Sequence, residues 1–177
     1  KNYHEFNVTY HYSLYHQYSK NKEKSYQDFL GFLKKSYSNK NHEILLVSGS
    51  NKKKNFDAIN VLNNIKKEKI LKVKLGIAHN PYLKKYYKVS SERERFERKI
   101  SSGLINSVWF QYGTDIKVLQ NEVAYIKKIA NYEKLNLFGS LLIPSKQFIA
   151  RFKFRPWKGV YISEKCLNSL DCFSDFT

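Results

Sequence analysis

"VKLGIAHNPYLKKYYKVSSERERFERKISSGLINSVWFQYGTD", residues 73–115, decides the fold class. It opens on an apolar run, 73–79, and passes through a polar loop. A charged stretch follows, 90–103, with Ser91 and Glu94 at the spacing of a capping box and Gly103 at its end. A second apolar run closes it, 107–111. Two strands with a whole helix between them are joined as a parallel crossover, because a hairpin leaves no room for one. The second run is apolar at consecutive positions, as in a strand covered on both faces, and then delivers a neutral amide, Gln111, to its tip. Polar groups at such a tip often line a site; the plainer reading is a strand leaving the core.

The alternation extends in both directions. "FNVTYHYSL" (6–14) reads as a strand and "YQDFLGFLKKSY" (26–37) as an amphipathic helix carrying Phe29, Phe32 and Leu33. "EILLVSGS" (43–50) is a second strand, and "NFDAINVLNNIKK" (55–67) a helix with Asn55 as its N-cap and Ile59, Leu62 and Ile65 on one face. Downstream, Asp115 opens a helix in which Ile116, Leu119, Val123 and Ile126 recur every three or four residues. "LNLFGSLLI" (135–143) is a fifth strand and "KGVYIS" (158–163) a sixth, with Ser163 capping "EKCLNSL". Six βα units predict an α/β fold with a parallel sheet. Two architectures accommodate them, an open doubly wound sheet and a (β/α)8 TIM-barrel-like fold seen as about six consecutive units. No Gly-x-Gly-x-x-Gly or Gly-x-x-x-x-Gly-Lys-Ser follows a strand, which counts against a nucleotide-binding open sheet. The expectation is a partial barrel forming a single domain over residues 1–177.

The bulk numbers bound the partners. A chain of 177 residues that is 42% hydrophobic can build one core. No apolar run approaches the ~20 residues of a spanning helix, so no membrane partner is expected. The chain starts at Lys1 and holds no methionine, which suggests a piece of a longer product. Cys166 and Cys172 lack the spacing and the histidines of a zinc site, so no metal is expected; free thiols suit a cytoplasmic setting. The formal charge of +17 would suit a nucleic-acid partner. The lysines, however, are scattered over helix ends and turns, the pattern of a solvated surface, which disfavours that partner. The sequence admits a homo-oligomer.

In either architecture ligands bind outside the carboxyl ends of the strands. Those positions hold His11, residues 48–50, Ala78-His79-Asn80, Gln111 and "PSK" after Ile143. They are neutral donors and acceptors. No carboxylate pair, Ser-His-Asp set or metal cluster emerges, and no catalytic residue is assignable. Such a pocket suits an organic cofactor that carries the chemistry itself.

From "GIAHNPY" through "ERFERKISSGLINSVWFQYGTD" the chain resembles the methylenetetrahydrofolate reductase family. That family shows a strand ending Ala-Tyr-Pro, then Lys-Arg-Lys-Val-x-Ala-Gly, then an apolar strand ending Thr-Gln-Phe-Phe-Phe-Asp. The resemblance spans most of residues 6–163 and is strongest over 74–115. It implies a flavoprotein oxidoreductase with FAD as cofactor and NAD(P)H as co-substrate. The small-molecule substrate would be a folate, methylenetetrahydrofolate reduced to methyltetrahydrofolate for one-carbon metabolism and methionine biosynthesis.

On this resemblance Gln111 touches the pterin ring, where an amide can both donate and accept. His11 lies beside the flavin, and Ala78 is the small residue that lets the backbone approach it. Ser48, Gly49 and Ser50 stand at the family's Arg-Gly-Asp, so Gly49 keeps the close approach while Ser50 replaces the aspartate that tunes the flavin. His79 replaces a tyrosine near the adenine side and retains the ability to stack. Glu92 falls on the residue that bonds the ribityl or phosphate region, and Lys99 on the lysine that reaches the phosphates. The family's catalytic glutamate, on the first barrel strand, has no counterpart in these residues. A barrel that binds a ligand or partner but has lost the chemistry is the alternative, and Ser50 supports it.

Overall fold

The structure, a computed structural model, describes residues 8–14, 21–36, 42–48, 57–68, 73–85, 89–129, 132–157 and 159–172. Five strands form its sheet: β1 (Thr9–Ser13), β2 (Glu43–Val47), β3 (Lys74–His79), β4 (Ile105–Phe110) and β5 (Asn136–Phe138). All neighbours are parallel, and the order in the sheet is the order in the chain, β1-β2-β3-β4-β5. An open doubly wound sheet reverses its strand order midway. Here the order never reverses, so right-handed crossovers carry successive helices to one face. These helices are α1 (Lys22–Ser36), α2 (Ala58–Glu68), α3 (Val89–Ile100) and α4 (Ile116–Ile126).

The strand register sorts the side chains into two faces. Tyr12, Leu46, Ile77 and Val108 form one row across the sheet, and Tyr10, Ile44, Leu75 and Ile105 another. Most of these residues pack with Phe29, Leu33, Leu62, Ile65, Phe96 and Ile126 of the helices into one core. Each fully buried aliphatic or aromatic side chain of that size contributes about 1.5–3 kcal/mol. The intervening residues, His11, Leu45, Gly76 and Ser107, make a row on the far face, with Ala78, Trp109 and Phe138 one step nearer the strand tips.

Local signals account for many element ends. Asp115 caps α4, its side chain accepting from the Val118 amide at 3.1 Å. Ser163 caps α6 (Glu164–Cys172) through the Cys166 amide, and Ser145 caps α5 (Lys146–Phe154) through Phe148. Gly103 takes φ +74 just past α3, a conformation other residues rarely adopt, and its amide bonds the Ile100 carbonyl.

Other expectations are corrected. The helix expected from Asn55 starts at Ala58, with Asp57 accepting from the Asn60 amide; Asn55 lies outside the described residues. Helix α3 begins at Val89, so Ser91 and Glu94 fall inside it rather than forming a capping box. Ile116, expected on the buried stripe of α4, is 67% exposed. The fifth strand stops at Phe138. The sixth is not a strand of the sheet: its Tyr161 makes one parallel bridge to Gly113, beyond the tip of β4. Gly159, at φ +87 after Pro156, turns this segment back across the tips instead of alongside β5. No helix among the described residues is long and apolar enough to cross a membrane.

A β-carbon on Gly76 would lie 2.5 Å from Ser107 Oγ and 3.1 Å from Trp109 Nε1. Gly76→Ala is therefore expected to break the Trp109–Ser107 hydrogen bond, 2.9 Å, and to destabilise by about 1–3 kcal/mol. Urea unfolding followed by tryptophan fluorescence checks this; an unchanged midpoint would show that the far face is loosely packed.

Candidate functional site

The far face of the sheet carries the first group of candidate residues. Trp109 stacks on Phe138, centroids 4.4 Å apart at 22°, and His11 meets its other side edge-on at 6.2 Å. The indole N–H donates to Ser107, which draws the ring down over Gly76, the residue with no side chain to obstruct it. Ala78 pairs with Trp109 in the register and keeps this surface shallow. The three rings form an aromatic platform with His11 exposed and Phe138 39% exposed.

At the strand tips above the platform lie Asn80, Gln111 and Gly159. The Gln111 amide N–H donates to the His79 carbonyl at 2.8 Å, while its side chain is exposed. Asn80 Nδ2 donates to the Gly159 carbonyl at 2.7 Å, tethering the returning segment. Tyr82 stacks on Tyr161, 5.7 Å apart, and its hydroxyl donates to the carbonyls of Gly113 and Asp115. Thr114 and Ser163 complete the clasp through the Ser163 amide, 2.8 Å from Thr114 Oγ1.

A second group gathers on the opposite side of β3, inside the helix layer. His79 is 1% exposed and wedged against Phe96 and Phe110. Its Nε2 lies 2.9 Å from Oε1 of Glu122 on α4, itself 2% exposed. Arg93 of α3 closes on the same carboxylate, Nη2 at 2.8 Å and Nε at 3.2 Å from Oε2. Its guanidinium lies 4.0 Å from the Tyr125 ring centroid, and Tyr125 in turn donates to Glu97. Glu92 Oε1 stands 3.7 Å from His79 Nδ1. Lys99 is buried, with Nζ donating to the Ala78 carbonyl at 3.3 Å.

Burial alone would raise the Glu122 carboxyl, but hydrogen bonds from His79 and Arg93, and their charges, outweigh it and hold the group down at about 2. The same hydrogen bond pushes Arg93 upward. A carboxylate only accepts, so Nε2 of His79 carries the proton it shares with Glu122.

The expected site residues thus divide. His11, Ala78 and Gln111 share the far face and its rim. His79, expected to stack on a cofactor, is enclosed between α3 and α4 instead, because the two-residue alternation of a strand turns it away from Ala78. Glu92 and Lys99, expected at the cofactor's ribityl and phosphate groups, converge on the end of β3 from the helix side. Ser48 accepts from the Ala58 amide at 3.1 Å and so serves the start of α2. Gly49 and Ser50 lie outside the described residues.

Sequence reasoning passed over Trp109, Phe138, Arg93 and Glu122. Glu122 alone carried a signal: it is an acid inside the apolar stripe of Leu119, Val123 and Ile126. Among the described residues no group of three His, Cys, Asp or Glu is placed to hold a metal ion. Compared with models of known protein families the chain matches none, and no curated protein is significantly similar to it.

The Glu122 carboxyl falls from an ordinary 4.5 to about 2 on folding, so it adds stability above the higher value and loses it as pH drops through the lower. The full contribution is on the order of 3 kcal/mol. Urea unfolding of the native chain should weaken between these two pH values. Glu122→Gln should be less stable at neutral pH and should lack this part of the acid loss; parallel pH profiles for the two proteins would show that Glu122 is not the titrating group.

Proposed function

We propose that this chain is the ligand-binding part of a TIM-barrel-like flavoprotein of the methylenetetrahydrofolate reductase type. The observation that carries the reading is the aromatic platform of His11, Trp109 and Phe138 on the helix-free face, beneath the Gln111 amide. Consecutive strand order with helices on one face is compatible with part of a barrel, and in a barrel that face is the interior. A flat heteroaromatic ring finds there stacking surfaces, the small Ala78 side chain beside Trp109 and an amide able to read a ring edge by donating and accepting.

The fit to FAD is good on the ring side and different from the family pattern on the phosphate side. The expected phosphate lysine, Lys99, is committed to the Ala78 carbonyl on the opposite face. When bound, a flavin supplies hydride transfer from NAD(P)H to a folate. The chain's own residues would bind and orient: Trp109 and Phe138 by stacking, His11 from the edge, Gln111 at the pterin side. Among the described residues the strand tips of this face carry no acid poised to protonate a substrate, so the reaction as a whole needs a carboxylic acid from elsewhere.

The division of site residues also favours a second reading, a barrel that retains ligand binding without catalysis. His79, Glu92 and Lys99, all expected at the cofactor, lie behind the strand rather than on the platform.

Titration of FAD or riboflavin with the chain, read by the change in the flavin's own fluorescence, tests the binding. The native chain should bind, and Trp109→Ala should weaken affinity roughly tenfold, the equivalent of one lost aromatic stack. Bleaching of the bound flavin's visible absorbance by NAD(P)H then separates the readings: bleaching supports the reductase, and binding without bleaching supports the non-catalytic barrel. Absence of any binding overturns both.

A further inference from the structure

We propose that the cluster of buried His79 and Glu122 with half-buried Arg93, together with the buried Lys99 on the Ala78 carbonyl, is a positioning device, which fixes the end of β3, and through it Gln111, from behind the ligand face. The inference rests on the flavin-site reading for its ligand measurement only.

The last two residues of β3 are held through both carbonyls and through the Nε2 side of the His79 ring, while Nδ1 has no hydrogen-bond partner and faces Glu92 at 3.7 Å. The Ala78 carbonyl accepts from Lys99 of α3, and the His79 carbonyl accepts from the Gln111 amide. The His79 ring is bound to Glu122 of α4, which Arg93 of α3 holds through two nitrogens. Glu122 lies two turns along the helix that Asp115 caps, and Asp115 is only four residues after Gln111. The intervening loop is pinned as well, by the Tyr82 hydroxyl on the Gly113 and Asp115 carbonyls. Restraints from β3 and from α4 thus both reach Gln111, beside those from Tyr82 and the Tyr161–Ser163 segment, and the cluster is where β3 and α4 are joined.

A need for stability does not explain such a cluster. Taking a carboxylate and its partners out of water costs several kcal/mol per ion, and apolar side chains of equal volume often do as well or better. The surroundings are already apolar, with Phe96 and Phe110 against the imidazole. What ionic hydrogen bonds add is direction. Apolar packing tolerates small slips of a helix along a sheet, whereas a doubly held carboxylate has one geometry. A slip of α4 against β3 would move Gln111 relative to the aromatic platform, where small displacements cost affinity steeply.

The test replaces the charges by apolar volume: His79→Leu, Arg93→Leu and Glu122→Leu together. The expected outcome is a thermal midpoint equal to or above the native one. Hydrogen exchange at the Gln111 amide should be at least roughly tenfold faster, with FAD affinity at least roughly tenfold weaker. Unchanged exchange at Gln111 overturns the proposal. So does a lower midpoint with exchange raised uniformly across the sheet, which would assign the cluster an ordinary structural role. If the triple variant does not fold, Lys99→Met decides, since it removes the grip on the Ala78 carbonyl and keeps an apolar stem. Faster exchange at Gln111 with little change in midpoint supports positioning, and unchanged exchange overturns it. A native chain that takes up no flavin defeats the ligand reading alone, because the exchange rates still decide the positioning.

Discussion

The Glu122 carboxylate, 2% exposed and shared between His79 and Arg93, is the interaction on which the upper end of the molecule depends. Below it the core is an ordinary apolar interior, where Ile44, Leu46, Leu75 and Ile77 meet Phe29, Leu62 and Ile65, and where contacts are numerous and individually replaceable. At the strand tips this logic changes. A charge placed so deep is tolerable only with donors on its oxygens, and the donors come from β3 and α3 while the acid comes from α4. Three elements are thus held by one group, and none of them can move without leaving a buried charge uncompensated.

The second constraint is the consecutive order of the strands. Because every crossover falls on one side, the sheet has a helical face and a face of its own, and the two have different chemistry. The helical face is aliphatic and aromatic except at the Glu122 cluster. The other is floored by Gly76 and Ala78, roofed by Trp109 and flanked by His11 and Phe138. It carries neutral groups up to the Gln111 and Asn80 amides at the rim. That composition suits the proposed binding of a flat ring, and among the described residues the strand tips of this face carry no carboxylate.

Much of the fold was legible along the chain. The spacing of Phe29 and Leu33 in α1, of Ile59, Leu62 and Ile65 in α2, and of Leu119, Val123 and Ile126 in α4 marked the faces that the structure buries or packs against the core. The caps at Asp115 and Ser163 sat where their side chains predicted. The failures have specific causes. "KGVYIS" has the composition of a strand, but strand pairing needs a free neighbour in register, and Gly159 and the Asn80 tether lead the segment across the tips instead. Ser91 and Glu94 have the spacing of a capping box, but α3 starts two residues earlier, at Val89, which puts Ser91 inside the helix.

The candidate site was half legible, and the line between the halves is physical. Residue type and strand position are local properties, so Ala78 and Gln111 could be placed at strand tips from the chain alone. Whether a polar residue at such a tip faces a ligand or the helices depends on which face the strand turns to the core, and β3 is apolar on both. For His79 that choice fell to Glu122, forty-three residues away and readable only as an acid inside an apolar stripe. The same long-range pairing drew Arg93, Glu92 and Lys99 to the back of β3 rather than to its front. Burial of a charge is decided by partners that folding brings together, and no local pattern names those partners in advance.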